Sequence, residues 1–262
     1  MKQRVISALV AIAILLPIIL IGGKVFYLGL TLIAIIGLFE MIKAKETEKS
    51  IPLEIKTISL LSYILILINR WQMDLTLDFS KRVIIVMLFL IMPVIFYKKK
   101  EKYNIVDALF ILGVVLLLGI GFNKLGIIRI ENPVYFAYLI IITTMTDTFA
   151  YVGGSLIGKH KLAPSISPNK TIEGLVTGVV MGTTISTIVI NSLLNVAIFK
   201  AIIISSILCL ISQAGDLLFS AIKRHFKIKD YGNLMPGHGG VLDRLDSLLV
   251  LTIVFSLISN LI

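Results

Sequence analysis

Cysteine is almost missing. Of 262 residues only Cys209 is a cysteine, and it lies inside an apolar run. One thiol supports neither a disulfide framework nor a cysteine metal cluster, so a core thiol is expected. Histidine is scarce as well. His160, His225 and His238 do not stand at zinc-ligand spacing from one another or from a cysteine. Charged residues make up only 15% of the chain, and the 15 acidic ones are outnumbered by 25 Lys and Arg. Internal repeats, low-complexity tracts and interdomain linkers are also lacking, which excludes a solenoid and argues against an appended second domain.

Apolar sequence is what the chain has in quantity. Hydrophobic residues reach 57% and the mean hydropathy is +1.00, values of a polytopic membrane protein. The net charge of +10 would suggest nucleic acid in a soluble protein. Here most cations lie between apolar segments, so membrane topology and anionic headgroups explain them better, and no nucleic-acid partner is expected. Nine apolar runs are visible: about 5–22, 25–42, 57–68, 83–97, 106–122, 134–152, 175–194, 196–219 and 241–262. The first lacks a small-x-small cleavage site and reads as an uncleaved span, kinked at Pro17. The third is the shortest. With nine spans and the N-terminus in the cytoplasm, 18 of the 25 Lys and Arg fall on the inner side. That asymmetry predicts an all-α protein of about nine transmembrane helices, N-terminus inside.

Two polar islands interrupt this pattern, both on the predicted cytoplasmic face. The stretch 220–247 reads SAIKRHFKIKDYGNLMPGHGGVLDRLDS. Charged groups at the centre of a spanning helix cost about 2.5 to 3.5 kcal/mol each, so such density calls for a wet cavity or a surface. Pro236, Gly237, His238, Gly239 and Gly240 form a turn whose glycines let backbone amides approach an anion. A helix is predicted to begin near Val241, its N-terminus adding a field favourable to phosphate. Asp243 and Asp246 are three apart and share one face of it, a plausible Mg²⁺ pair, with Arg244 to neutralise phosphate. The plainer alternative is a cytoplasmic loop followed by acids that merely suit a helix start. His238 reads either as a surface-loop histidine or as a phosphate or base contact. Asp216 reads either as a helix-end carboxylate paired with Lys223 or Arg224, or as a third metal ligand completing what Asp243 and Asp246 begin.

The second island, 147–174, reads DTFAYVGGSLIGKHKLAPSISPNKTIEG. Asp147 is either a structural group bonded to Thr143 or Thr144, or a functional one. Ser167, Pro168, Asn169, Lys170 and Thr171 form a compact turn ending where a helix begins, with Glu173 in its first turn. Such a turn can hold a phosphate or simply cap a helix. Gln213 and Asn169 are candidates to read a base edge. Glu40 closes the second apolar run, where a carboxylate at headgroup level is tolerable.

The first of these islands resembles the signature of the phosphatidate cytidylyltransferases, at Ser220, Lys223, Arg224, Lys229, Asp230, Gly232, Pro236 to Gly240, Asp243, Arg244, Leu245 and Asp246. Met235 stands where that family usually has Leu or Ile. Asp147, Gly158, Lys159, Ser167, Pro168, Lys170, Thr171, Glu173, Gly174, Gly215 and Asp216 resemble its upstream motifs. The resemblance implies transfer of CMP from CTP to phosphatidic acid, giving CDP-diacylglycerol and pyrophosphate at the cytoplasmic face of the inner membrane. It implies Mg²⁺ on Asp216, Asp243 and Asp246, with Lys170, Arg244 and the amides of Gly237, His238, Gly239 and Gly240 holding oxyanions beside Ser167, Asn169 and Thr171. Residues 1–140 would form scaffold and lipid groove, and residues 141–262 the catalytic region. A homodimer is a family-level expectation. Competing readings are a CTP-dependent lipid kinase, a cytidylyltransferase for another lipid phosphate, and an ion-coupled secondary transporter, which should show inverted repeats.

Overall fold

The chain is described from a computed structural model. It covers residues 2–68, 77–97, 102–234 and 239–259, apart from the side chains of 2–9, 11 and 12. Each apolar run has become helical: α1 (Lys2–Ile21), α2 (Gly23–Lys45), α3 (Leu53–Leu67), α4 (Phe79–Ile91) with α5 (Pro93–Phe96), α6 (Ile105–Glu131), α7 (Pro133–Ile157), α8 (Ile172–Leu194), α9 (Ile198–His225) and α10 (Leu242–Ile258). The fourth run is split at Pro93, which has no N–H to continue the ladder. α1 continues through Pro17.

Six helices among the described residues are long and apolar enough to cross a membrane: α2, α4 with α5, α6, α7, α8 and α9. The chain is thus an all-α polytopic membrane protein. α3 has 15 residues, a rise of about 22 Å against a hydrocarbon core of about 30 Å. The chain divides into two compact units, residues 1–126 with 226–244, and residues 127–225 with 245–262.

In the first unit the short α3 ends among other helices, and its last carbonyls need donors. The Asn123 amide on α6 donates to the carbonyls of Ile66 and Leu67, both at 3.0 Å. Arg82 on α4 donates to the carbonyls of Leu65 and Ile68. At the start of α6 the buried Asp107 pairs with Lys49 at 2.6 Å and Lys45 at 3.4 Å.

In the second unit α7, α8 and α9 pack on one another. α8 carries glycine at 174, 178 and 182, one per turn on one face. A Cβ on Gly178 would lie 2.7 Å from the Thr146 carbonyl and 2.8 Å from the Ala150 Cβ, and one on Gly174 would lie 2.6 Å from the Ala150 carbonyl. Small residues here allow close backbone approach, the dominant packing device where lipid removes the hydrophobic drive. α8 ends on Asn195 in the left-handed conformation, a common stop.

One element departs from the sequence expectation. Residues 167–171 are not a compact turn but strand β2 (Ser167–Thr171), paired antiparallel with β1 (Lys161–Ala163). Pro164 follows Ala163 in a tight turn closed by the Ile166 amide on the Ala163 carbonyl at 3.1 Å, the usual place for proline in a β-turn.

Gly178→Val should drive α7 and α8 apart. A loss of about 1 to 3 kcal/mol is expected, the usual cost of overpacking, read as a lowered melting temperature in detergent. Gly113→Ala, with nothing within 4 Å of its added methyl, should leave stability equal or slightly raised.

Candidate active site

The second unit gathers polar groups around a cavity of about 460 Å³, within the range of small-ligand sites. Asp147 and Tyr151 from α7, Asn169 and Lys170 from β2, and Gln213 and Asp216 from α9 line it. The hairpin that carries Lys170 is tied down at three points. The Glu173 carboxylate accepts from the amides of Lys159 and His160, and its Oε1 lies 2.6 Å from His160 Nδ1. Arg224 Nε donates to the Ile166 carbonyl at 3.0 Å. Thr171 caps α8, its hydroxyl accepting from the Gly174 amide at 3.1 Å.

The Lys170 ammonium forms an ion pair with Asp216 and donates to Gln213 Oε1 at 3.2 Å. Gln213 Nε2 donates in turn to Asp147 Oδ1 at 2.8 Å. Asp216 also accepts from Ser220, one turn on, at 3.3 Å. Asp216 thus pairs with Lys170 from β2, and Asp147 with Gln213 from α9, while the Thr143 and Thr144 hydroxyls donate to backbone carbonyls. α9 lies close against α10 here, since a Cβ on Gly215 would stand 3.1 Å from the Ser247 Cα. That approach sets Asp246, only 8% exposed, within reach of the charges of Asp216 and Asp147, with Lys223 offsetting them.

The sequence-predicted residues therefore fall as follows. Lys170, Asn169, Thr171 and Asp216 line the cavity. The Thr171 hydroxyl is engaged as a helix cap. Ser167 opens β2 opposite Ala163 and is not among the lining residues. Asp246 is in the same unit, on α10. Asp243, Arg244, Gly239 and Gly240 belong to the first unit. Gly237 and His238 lie outside the described residues.

In the first unit the signature segment is folded by two carboxylates. Glu40, near the end of α2 and 8% exposed, accepts from the amides of Val241 and Leu242, both at 2.9 Å. An anion is thus already seated on the N-terminus of α10, and it is a side chain. Gly240 and Gly232 border this carboxylate so closely that a Cβ on either would strike it. Asp243 Oδ2 accepts from the Tyr231 amide at 2.8 Å and the Gly240 amide at 2.9 Å. Gly239 has φ +83°, a conformation that favours glycine. Phe226, where the segment begins, is held by Thr47 through its carbonyl at 3.2 Å and packs edge-on against Phe110. The amide of Gly240 and the helix start, expected from the sequence to meet phosphate, are engaged internally.

Among the described residues no three acidic, histidine or cysteine side chains are drawn together as a metal cluster. The donor chemistry still fits a hard cation. Asp216 and Asp246 repel one another in one unit, and Mg²⁺ needs only one or two carboxylates when substrate phosphates and water complete its shell. The sequence did not mark Glu40 as a cap, and it offered Gln213 as a base contact and Asp147 as a motif residue without showing that the two are bonded to each other. Their signal was a buried polar residue inside an apolar helical run.

The Cytidylyltransferase family matches residues 2–262. The phosphatidate cytidylyltransferases of Staphylococcus saprophyticus and Staphylococcus haemolyticus are each 36% identical over 249 residues, 94% of this chain and 94% of theirs. That of Staphylococcus aureus strain COL is 35% identical over the same shares. With a match along nearly its whole length and relatives of equal span, the chain belongs to the cytidylyltransferase family.

Proposed function

We propose that the chain transfers CMP from CTP to phosphatidic acid, forming CDP-diacylglycerol and releasing pyrophosphate. The observation that carries this is the Lys170–Asp216 pair in the lining of the second unit's cavity, in a chain whose relatives bear that enzyme's name. A phosphate oxygen of the lipid attacks the α-phosphorus of CTP. One P–O bond forms as the bond to the pyrophosphate oxygen breaks. No side-chain nucleophile is needed, because the lipid phosphate is the nucleophile. The protein's tasks are alignment and charge neutralisation.

Lys170 is suited to the second task. In the resting protein its charge is balanced by Asp216; an arriving triphosphate competes for the ammonium and binds as an oxyanion ligand. Arg244 and the turn of Gly237 to Gly239 are proposed as further oxyanion contacts, and Asn169 as a contact to the nucleotide. Mg²⁺ held by Asp216, Asp243 and Asp246 would supply charge neutralisation on the phosphates and the leaving pyrophosphate. Residues 1–140 serve as scaffold and lipid groove beside a catalytic region of 141–262. The diacyl chains stay in the bilayer. We further propose nine spans with the N-terminus in the cytoplasm, the site facing the cytoplasm at the inner membrane, and assembly as a homodimer.

Purified protein given phosphatidic acid, Mg²⁺ and CTP labelled on the α-phosphate should place label in the lipid phase. CTP labelled on the γ-phosphate should not. The reverse pattern would mean a lipid kinase, and no transfer from either would sink the reading. Asp216→Asn should lower kcat/KM by about 100-fold or more, on the scale of a lost transition-state charge contact, while the protein still folds. Lys170→Ala should raise KM for CTP about tenfold, some 1.4 kcal/mol; a change confined to lipid dependence would show that Lys170 is misplaced. Glu40→Ala should cost about 1 to 2 kcal/mol of stability, the range for a lost helix cap, and lower turnover with it. Unchanged melting and turnover would show that the cap does not hold the signature segment.

A further inference from the structure

Gln213 is 2% exposed and stands on α9 one turn before Asp216. Its amide has two ends of opposite polarity, and each is engaged. Nε2 donates to Asp147 Oδ1 at 2.8 Å, and Oε1 accepts from Lys170 Nζ at 3.2 Å. The chemistry allows one orientation. Only the oxygen can accept from an ammonium, and only the nitrogen can donate to a carboxylate. A flipped amide would set like poles together at both ends. Through this one side chain, α7, β2 and α9 are joined at the cavity.

Lys170 has Asp216 as its other partner, and that contact is conditional. On the function proposed above, on which this inference rests, Asp216 is drawn toward a cation and Lys170 toward phosphate when CTP arrives. A lysine on a flexible four-carbon stem would then be free to swing out of the cavity. The amide contact does not depend on what Asp216 is doing. We propose that Gln213 is a positioning residue. It keeps the Lys170 ammonium facing the nucleotide phosphates, and Asp147 in turn holds Gln213 in the orientation this requires. Gln213 then contributes to CTP affinity through Lys170 and not by reading the cytosine base, the role its place in the cavity lining would otherwise suggest.

The test is equilibrium binding of CTP and UTP to the purified full-length protein in detergent. The variants are Gln213→Leu, Gln213→Glu, Lys170→Ala, and Gln213→Leu combined with Lys170→Ala. Gln213→Leu should weaken CTP binding about five- to tenfold. It should leave the preference for CTP over UTP unchanged. In the Lys170→Ala background the same substitution should have almost no further effect, because the residue it acts through is gone. Gln213→Glu, which keeps an acceptor for Lys170 but turns a carboxylate toward Asp147, should bind CTP less well than wild type, and wild-type affinity in it would overturn the part given to Asp147. Gln213→Met makes the same comparison should Gln213→Leu not fold. Equal losses with and without Lys170, or a lost preference for CTP over UTP, would overturn the proposal in favour of direct contact with the nucleotide. Wild-type protein that binds no CTP would instead sink the proposed function; wild-type binding that Gln213→Leu leaves intact sinks only this inference.

Discussion

A carboxylate on a membrane helix must be offset, and in the second unit the offset is Lys170. Its ammonium meets Asp216 on α9, while the neutral amide of Gln213 links the same ammonium to Asp147 on α7. The arrangement keeps acidic side chains beside a cavity that, on the proposed reading, must admit a triphosphate. Acidic walls alone would repel such a ligand. A cation already in place, held by groups that can release it, turns the repulsion into exchange of one anionic partner for another. The β1–β2 hairpin matters because it delivers Lys170 from outside the helices, and Glu173, Thr171 and Arg224 fix that hairpin to α8 and α9.

The first unit solves a related problem differently. The signature segment is rich in glycine, and besides its buried Phe226, Tyr231, Val241 and Leu242 it is held by carboxylates. Glu40 sits on the start of α10, and Asp243 reaches back to the amides of Tyr231 and Gly240. Glycine at 232 and 240 is required by the space Glu40 occupies. α2 thereby holds a segment 201 residues away in sequence, which gives the N-terminal helices a part in shaping the signature segment beyond that of a scaffold. The field at the N-terminus of α10 is filled by Glu40, and the weight of phosphate binding in the proposed mechanism shifts toward Lys170.

What was legible in the sequence follows from how local each signal is. Apolar runs are local, so every one became a helix, and the two islands stood out as polar residues that a bilayer would not tolerate without cause. Thr171 and Glu173 at the start of α8 were readable as a cap for the same reason. The span count was less secure, because helix length against bilayer thickness depends on ends that composition does not mark, as α3 shows with its 15 residues. Partners distant in sequence were not legible. The bond from Gln213 to Asp147 joins residues 66 apart, and the cap from Glu40 is longer still. The hairpin was hidden because Pro168 lies in the stretch that read as a compact turn and proved to be a short edge strand that tolerates proline.

The central claim is that nucleotide phosphate binds at the cavity of Lys170 and Asp216. The most direct measurement is photo-crosslinking of the intact protein with an azido derivative of CTP, competed by unlabelled CTP, followed by peptide mapping. The account predicts competed label on peptides from 147–175 and 213–220. Label confined to peptides around Lys43 to Thr47 and Ile228 to Asn233, the lining of a smaller cleft in the first unit, would contradict it.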